Sequence, residues 1–439
     1  MTSETLIKPW KLPPQKTYIF KNANLIDPVE GSVLPNTTVK IAGGLIEPVS
    51  SNASSSSSDI TVDLDGKYIC PGLIDAHVHV TAVPGEKDLG KCFGMDPTVS
   101  LTRQPFVCGQ MLRRGFTSIR DCGGASLALK EAIRDGVFPG PRLFIANRAL
   151  SQTGGHADFR GAHDHSECCG GHITGLGVLC DGVPECIKAA REQLRTGADF
   201  IKIMCGGGVA SPTDALENTQ FTAAEVSAIS EVARSYNTWV TAHAYTPQAI
   251  RHAVDNGVTG IEHGNFIDEA TAKYMADRGV FLTPTLIAYD AMASPRFPGF
   301  LPPESESKNQ EVLAQGLRAL EIASRAGITM CYGSDLLGPL GVEQAKEFGL
   351  RRKVLSAKQV LQCATVNPAR MLRQERFLGQ VKDGFAADML ILNANPLDDI
   401  EVLDRPEKHL LAVIKDGRVY ASQWSKLAED VAAARAVIE

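Results

Sequence analysis

Length, composition and charge place this chain among ordinary folded proteins. Its 439 residues are 44% hydrophobic and 21% charged, which is typical of a globular protein and excludes disordered, collagen-like and coiled-coil classes. The 44 basic and 50 acidic side chains give a net charge of −6 without a long basic run, so the sequence predicts no binding to nucleic acid or to a membrane surface.

The N-terminal residues and the cysteines are informative about the cellular compartment of the protein. The first residues lack the apolar segment of a signal peptide, and no apolar run reaches the roughly 18 residues of a membrane-spanning helix. The eleven cysteines are an odd number and are scattered along the chain, a pattern that fits free thiols in a reducing compartment. We therefore expect a cytoplasmic protein.

Both ends of the chain contain short predicted strands. Residues 1–70 hold three strand-like runs, interrupted by a serine-rich tract at 51–59 that predicts a flexible surface loop. Similar runs occur at 387–394 and 410–420, the second with the Asp-Gly pair of a tight β-hairpin. We predict that residues 1–70 and 375–439 form one small β-sandwich domain.

Between these ends, strand-like and helix-like segments alternate. Apolar runs such as PGLIDAHVHV, FIKIM and WVTAH are followed by helix-like segments that begin near Thr, Asp or Pro and mostly end at Gly, as helix capping predicts. Near-continuous apolar runs are typical of strands buried on both faces. Eight such units predict an α/β fold in which residues 71–374 form a TIM (β/α)8 barrel.

Six titratable side chains occur near the C-terminal ends of these predicted strands. Two of them, His77 and His79, are two residues apart, so both imidazoles would point to the same side of a strand. Barrel active sites are built at this end of the strands. Burying so many titratable groups together without a cation would be costly, so the pattern predicts a metal site. The six residues are His77, His79, Lys202, His243, His263 and Asp335.

Several motifs resemble those of the amidohydrolase superfamily. Residues 71–79, PGLIDAHVH, are similar to its first-strand signature, and residues 379–400 are similar to the C-terminal strands of its small β-domain. The resemblance covers essentially the whole chain. It is greatest for the ochratoxinase-like group, which is related to Xaa-Pro dipeptidases, through residues 149–156, 200–212 and 240–245.

The resemblance implies a binuclear centre of two divalent metal ions. Nitrogen and oxygen ligands without cysteine suit zinc, with manganese or cobalt as substitutes. A lysine ammonium cannot ligate a cation, whereas a carboxylated lysine offers two anionic oxygens. The implied ligands are His77, His79 and Asp335 on one metal, His243 and His263 on the second, and carboxylated Lys202 as the bridge between them.

The same resemblance assigns catalytic and substrate-binding roles. Two cations lower the pKa of a shared water, and Asp335 would take its proton and pass it to the leaving amine. His156 would polarise the substrate carbonyl or contact the substrate. Tyr245 shares a strand face with a predicted ligand and would bind a substrate carboxylate. Gly206 and Gly207 would let the substrate approach the backbone closely.

The implied reaction is hydrolysis of the amide bond in N-acyl amino acids, such as ochratoxin A with release of phenylalanine, or in small peptides. Two alternatives remain open: a cyclic amidohydrolase related to imidazolonepropionase or dihydroorotase, and a non-catalytic scaffold. We expect a small-molecule amide substrate and a homo-oligomer, an octamer by resemblance. The Cys- and His-rich segment 161–180 is interpreted as a Gly-rich lid, with a structural zinc site as the alternative.

Overall fold

The computed structural model describes residues 7–48, 58–164 and 175–431. The predicted serine-rich loop at 51–59 lies almost wholly outside these ranges, as do Cys168, Cys169 and much of the segment interpreted as a lid. All nine cysteines of the described ranges are buried and carry free thiols. None of the helices in these ranges is long and apolar enough to cross a membrane.

Strands from both ends of the chain form one mixed sheet. Strand β1 (Tyr18–Asp27) pairs antiparallel with β2 (Ser32–Ala42) along one edge, and parallel with β4 (Ile60–Asp63) and then β5 (Tyr68–Pro71) along the other. From the C-terminal end of the chain, β15 (Met389–Leu392) joins β5 in antiparallel orientation. The remaining strands of this sheet are β3 (Leu45–Ile46), β16 (Leu410–Lys415) and β17 (Arg418–Ser422).

This sheet has eight strands in the order β17-β16-β15-β5-β1-β2-β3, with β4 beside β1. The sequence predicted that both chain ends contribute strands, but it predicted two facing sheets. Strand β1 pairs with β4 along its first half and with β5 along its second, so all of these strands belong to one hydrogen-bonded sheet.

Parallel strands form two further sheets in the middle of the chain. One has three strands in the order β6-β7-β8, and the other has six in the order β10-β9-β11-β12-β13-β14. Their bounds are β6 (Leu73–Val78), β7 (Phe116–Asp121), β8 (Arg142–Ile145), β9 (Ala149–Ser151), β10 (Gly177–Leu179), β11 (Ile201–Met204), β12 (Val240–Ala244), β13 (Gly260–His263) and β14 (Phe281–Thr283).

A short extended segment after the last parallel strand approaches both sheets. The Leu282 amide donates to the Thr329 carbonyl, and the Cys331 amide donates to the Leu282 carbonyl. On the other side, the Ala76 amide of β6 donates to the Tyr332 carbonyl. These are single hydrogen bonds, and within the described ranges no continuous ladder joins the two parallel sheets into a closed barrel.

Helices connect the parallel strands and begin at capping residues. Helix α5 follows Thr222, whose side chain and that of Glu225 form a reciprocal capping box. The 24-residue helix α9 ends at Gly327, which adopts a left-handed conformation with φ 77°. The helices are α1 (Leu89–Phe93), α2 (Pro97–Arg113), α3 (Leu127–Arg134), α4 (Val183–Arg195), α5 (Ala223–Ser235), α6 (Pro247–Asp255), α7 (Glu269–Asp277), α8 (Leu286–Ala293), α9 (Pro303–Ala326), α10 (Glu347–Arg351), α11 (Ala357–Cys363), α12 (Val366–Met371) and α13 (Pro406–His409), with 3-10 helices at Gly338–Lys346 and Ile400–Val402.

Most of the parallel strands are buried along their whole length. Every residue of β6, β7, β11, β12 and β13 is buried, as expected for strands covered on both faces. Because parallel strands all end at the same edge of a sheet, the polar residues near their C-terminal ends lie close together.

Candidate active site

All six predicted metal ligands line one cavity. The cavity lies at the C-terminal ends of the parallel strands. The predicted substrate contacts His156 and Tyr245 also line it. The six predicted ligands at the cavity are His77, His79, Lys202, His243, His263 and Asp335.

Two of these residues adopt a strained backbone conformation. His263 has φ 73° and Asp335 has φ 49°, values that residues with a side chain rarely adopt. Such positions cost on the order of 1–3 kcal/mol each and cluster at functional sites. His263, at the end of β13, and Asp335 both line the cavity.

Two histidines are oriented by hydrogen bonds from Nδ1. His77 Nδ1 lies 2.8 Å from Glu262 Oε2, and His79 Nδ1 lies 2.8 Å from the Gly123 carbonyl oxygen. An ionised carboxylate and a carbonyl accept hydrogen bonds but do not donate them. Each Nδ1 therefore carries the proton, and in the neutral ring Nε2 keeps a lone pair, as in metal-binding histidines.

In the other two histidines, one ring nitrogen also forms hydrogen bonds with the protein. His243 Nε2 donates to the Gly207 carbonyl over 3.0 Å, which leaves Nδ1 as the lone-pair nitrogen. His263 Nδ1 lies 2.7 Å from Thr285 Oγ1 and 3.0 Å from the Tyr289 hydroxyl, which leaves Nε2. In each of the four rings one nitrogen is held by the protein and the other is available.

The distances between these groups suit a shared cation. Asp335 Oδ1 lies 3.5 Å from His77 Nε2 and 3.3 Å from His79 Nε2. One ligand atom from each of His77, His263 and Asp335 lies within 4.8 Å of the other two. The His243 and His263 ring centroids are 4.5 Å apart. These nitrogen and oxygen donors fit a divalent metal such as zinc.

Most of these groups hold the protonation state that metal binding requires. Burial lowers the pKa of His77 to about 4 and lowers the pKa values of His243 and His263 well below their usual range. Burial opposes ionisation of Asp335, but nearby His77 and His79 outweigh it and lower its pKa to about 2. For His79, burial is outweighed by Asp335, which raises the pKa of that ring.

Lys202 is the one predicted ligand that is not itself a donor for metals. It lies in β11, is only 1% exposed, and lines the cavity among the histidines. Its amino group makes no hydrogen bond to any residue in the described part of the chain. A buried amine without such a partner fits a position that is chemically modified or bound to another group.

Comparison with known proteins decides the family. The model of the amidohydrolase family matches residues 68–420. This chain belongs to the amidohydrolase family. Ochratoxinase from Aspergillus niger is 32% identical over 91% of this chain and 85% of its own length.

Solved structures resemble this amidohydrolase closely. A prolidase in complex with N-methylphosphonate-L-proline has a TM-score of 0.89 and 40% identity, covering 93% of this chain and 100% of the prolidase. The A. niger ochratoxinase structure has a TM-score of 0.80 and 29% identity, covering 93% and 96%. The family implies a TIM barrel with an additional domain, and these relatives indicate a hydrolase.

A buried ion pair that the sequence did not predict lies behind the amidohydrolase site. Arg120 Nη2 donates to both oxygens of Glu262 over 2.6 and 2.7 Å, and both side chains are fully buried. Glu262 also accepts from Thr241 and from His77. The sequence signal for this pair is a charged residue inside each of two apolar strands.

Tyr289 is a second residue that the sequence did not predict. It lies on α8, and its hydroxyl donates to the Tyr245 hydroxyl over 2.9 Å and contacts His263. Among the described residues that line the cavity, the two tyrosines and His156 are the polar groups besides the predicted ligands. The other described lining residues are apolar: Phe93, Ala157, Phe159, Leu176, Met204, Val209, Ala210, Met292 and Leu337.

The two glycines predicted to contact substrate lie beside the cavity rather than on its wall. A side chain at Gly207 would overlap the Ala215 carbonyl, and Gly206 packs against Ala244. Close packing therefore accounts for the glycine at position 207. The neighbouring Val209 and other residues after the glycines form that part of the wall, so a substrate contact for Gly206 and Gly207 stays a prediction.

Proposed function

We propose that this amidohydrolase hydrolyses the amide bond between an acyl group and an amino acid, in N-acyl amino acids such as ochratoxin A or in small peptides, with the help of two divalent cations. The observation that carries the proposal is the convergence of six nitrogen and oxygen side chains on one cavity. Hydrogen bonds hold one ring nitrogen of each of the four histidines and leave the other nitrogen available.

The residues that would hold the metals follow from their chemistry. A carboxylated Lys202 would offer an anionic oxygen to each cation, whereas its unmodified ammonium could bind neither. When bound, two cations would supply a water of lowered pKa and polarise the scissile carbonyl. We assign His77, His79 and Asp335 to one cation, His243 and His263 to the other, and carboxylated Lys202 to both.

Asp335 is the proposed proton carrier. The two histidines beside its carboxylate keep it ionised, so it can accept a proton from the attacking water. The water oxygen bonds to the carbonyl carbon, the carbon–nitrogen bond breaks, and Asp335 returns the proton to the leaving amine. The products are a carboxylate and an amino acid with a free amino group.

Two further cavity residues would bind the substrate. His156 stacks on His243 with ring centroids 4.1 Å apart and would donate a hydrogen bond to the substrate carbonyl. The Tyr245 hydroxyl accepts a hydrogen bond from Tyr289, so its own proton is free for a substrate carboxylate. Burial raises the pKa of Tyr245, which keeps that proton in place.

The relatives suggest which amides to test. Identity is higher to the prolidase, at 40%, than to ochratoxinase, at 29% between the structures. The ligand of that prolidase joins a phosphonate to L-proline, and the apolar wall suits an uncharged side chain on either part of the substrate. A panel of ochratoxin A, N-acetyl-L-proline, N-acetyl-L-phenylalanine and Xaa-Pro dipeptides, assayed by mass spectrometry for the free amino acid, tests the proposal.

Cyclic amide hydrolysis is the second candidate. A dihydroorotase from Anoxybacillus flavithermus is 35% identical, but over only 16% of this chain. Dihydroorotate added to the same panel distinguishes the two reactions.

A non-catalytic scaffold would not need the full set of metal ligands. Bound metal measured per chain tests that alternative. A homo-oligomer also stays a prediction, tested by light scattering.

A further inference from the structure

We propose that Ser211 and Asp214 are positioning residues for His156: they hold its Nδ1–H group and so direct Nε2 at the substrate. Both residues lie in the connection between β11 and α5, outside the predicted ligand set. This inference rests on the proposed function, in which His156 acts on the substrate carbonyl.

A chain of hydrogen bonds links the three side chains. His156 Nδ1 lies 2.7 Å from Ser211 Oγ, and Ser211 Oγ makes a short hydrogen bond to Asp214 Oδ1. A carboxylate only accepts, so the single hydroxyl proton of Ser211 is directed to Asp214. The serine oxygen is then an acceptor toward the ring, and His156 Nδ1 must carry a proton.

Asp214 is itself fixed from several sides. It accepts from the Gly208 amide over 3.2 Å and from Gln220 Nε2 over 2.9 Å. Lys308 on α9 donates to the carbonyl oxygens of Gly208, Ser211 and Asp214 over 3.1, 3.0 and 2.6 Å. Ser211 and Asp214 are both buried, so the acceptor behind the ring has little freedom to move.

The remaining contacts of His156 also restrict its ring. One face stacks on His243, and its amide donates to Gln220 Oε1 over 2.9 Å. Gly208 leaves the space that the ring occupies, because a Cβ there would overlap it. With Nδ1 held by Ser211 and the ring on the cavity wall, Nε2 is the nitrogen left to meet the substrate.

This arrangement serves both forms of the ring. His156 Nδ1 keeps its proton and donates it to Ser211 Oγ whether or not Nε2 carries a proton of its own. When it does, Nε2 donates to the substrate oxygen, and the Asp214 carboxylate, whose Oδ2 is 3.7 Å from Nδ1, balances the charge of the ring. Ser211 and Asp214 would thus act like the aspartate of a catalytic triad, which orients a histidine through the ring nitrogen that faces away from the substrate.

The first test measures kcat and KM separately in the holoenzyme. Ser211→Ala should lower kcat roughly 10-fold with KM nearly unchanged, since losing a direct transition-state donor costs about 100-fold to 1000-fold and an indirect partner costs less. Asp214→Asn, which keeps an acceptor oxygen, should lower kcat in the same direction and serves if the alanine variant fails to fold. Ser230→Ala, at a buried serine of α5, is the matched control and should retain wild-type kcat.

The second test does not depend on activity. In the full chain labelled with ¹⁵N, the His156 ring signals, identified by their absence in His156→Gln, should show a proton on Nδ1, and Ser211→Ala should redistribute it. An unchanged kcat in Ser211→Ala, or a wild-type ring protonated on Nε2 alone, would overturn the inference. If wild type cleaves no member of the substrate panel while the ring signals behave as expected, the proposed function fails and the positioning does not.

Discussion

Lys202 is the residue whose chemistry most distinguishes a metal centre from a buried polar cluster. Lys202→Ala removes the proposed bridge, so we expect metal content to fall and activity to be lost. Metal analysis by mass spectrometry and the amide assay check this together. Lys273→Ala, at an exposed lysine of α7, is the control and should change neither. A Lys202→Ala protein with full metal content and full activity would contradict the bridging role.

Glu262 orients His77 and balances the charge of Arg120. Glu262→Gln should weaken metal binding roughly 10-fold to 100-fold, as loss of a partner behind a metal-binding histidine does. The free energy of unfolding should also fall by about 3–5 kcal/mol, because the Arg120 charge stays buried without its partner. Competition with a metal indicator and denaturant unfolding measure the two effects. Wild-type values for both would show that the buried pair is dispensable.

Tyr245 is proposed to bind the carboxylate of the substrate. Tyr245→Phe should raise KM for substrates with a free carboxylate and leave their kcat less affected, because the lost hydrogen bond forms on binding. Methyl esters of the same substrates provide the comparison, since they offer no carboxylate. Steady-state kinetics on each acid and ester pair makes the test, and an equal rise in KM for both would argue against this contact.

At the scale of elements, the connection from β11 to α5 shapes the cavity through a missing side chain. Gly208→Ala would place a Cβ in the volume of the His156 ring, so the ring must move and kcat should fall at least roughly 10-fold. Metal content should stay unchanged, because the atoms nearest this Cβ belong to the His156 ring, which is not a predicted ligand. Gly341→Ala, where a Cβ would meet nothing within 4 Å, is the control. Undiminished kcat in Gly208→Ala would contradict the proposed role of His156.

What could be predicted at this scale was set by local pattern. His77 and His243 lie near the ends of apolar runs, and Lys202 lies inside one. In each case the signal is local. Glu262 was missed because its partner Arg120 is 142 residues away in sequence. Ser211 was missed for the same reason, since His156 lies 55 residues before it. Residues that are distant in sequence and come into contact only in the folded protein produce no local sequence pattern.

At the scale of the whole molecule, the division into a barrel and a small domain built from both chain ends stays a prediction. Strands from the two ends of the chain meet where β5 pairs with β15. The sequence did not predict that all eight strands join in one sheet, because edge-to-edge pairing depends on strand length and on register rather than on local apolar pattern. The alternation of parallel strands and helices was predictable, because period and capping are local. The family implies a TIM barrel, whereas isolated hydrogen bonds, and no continuous ladder, connect the two parallel sheets of the described ranges.

One experiment tests directly whether this protein uses metal to hydrolyse an amide between an acyl group and an amino acid. Mass spectrometry should detect the free amino acid released from the substrate panel by the purified full chain, before and after treatment with a chelator and again after zinc is restored. We expect release of the free amino acid, abolished by the chelator and restored by zinc. Release that persists in protein stripped of metal, or no release from any member of the panel by metal-loaded protein, would contradict this expectation.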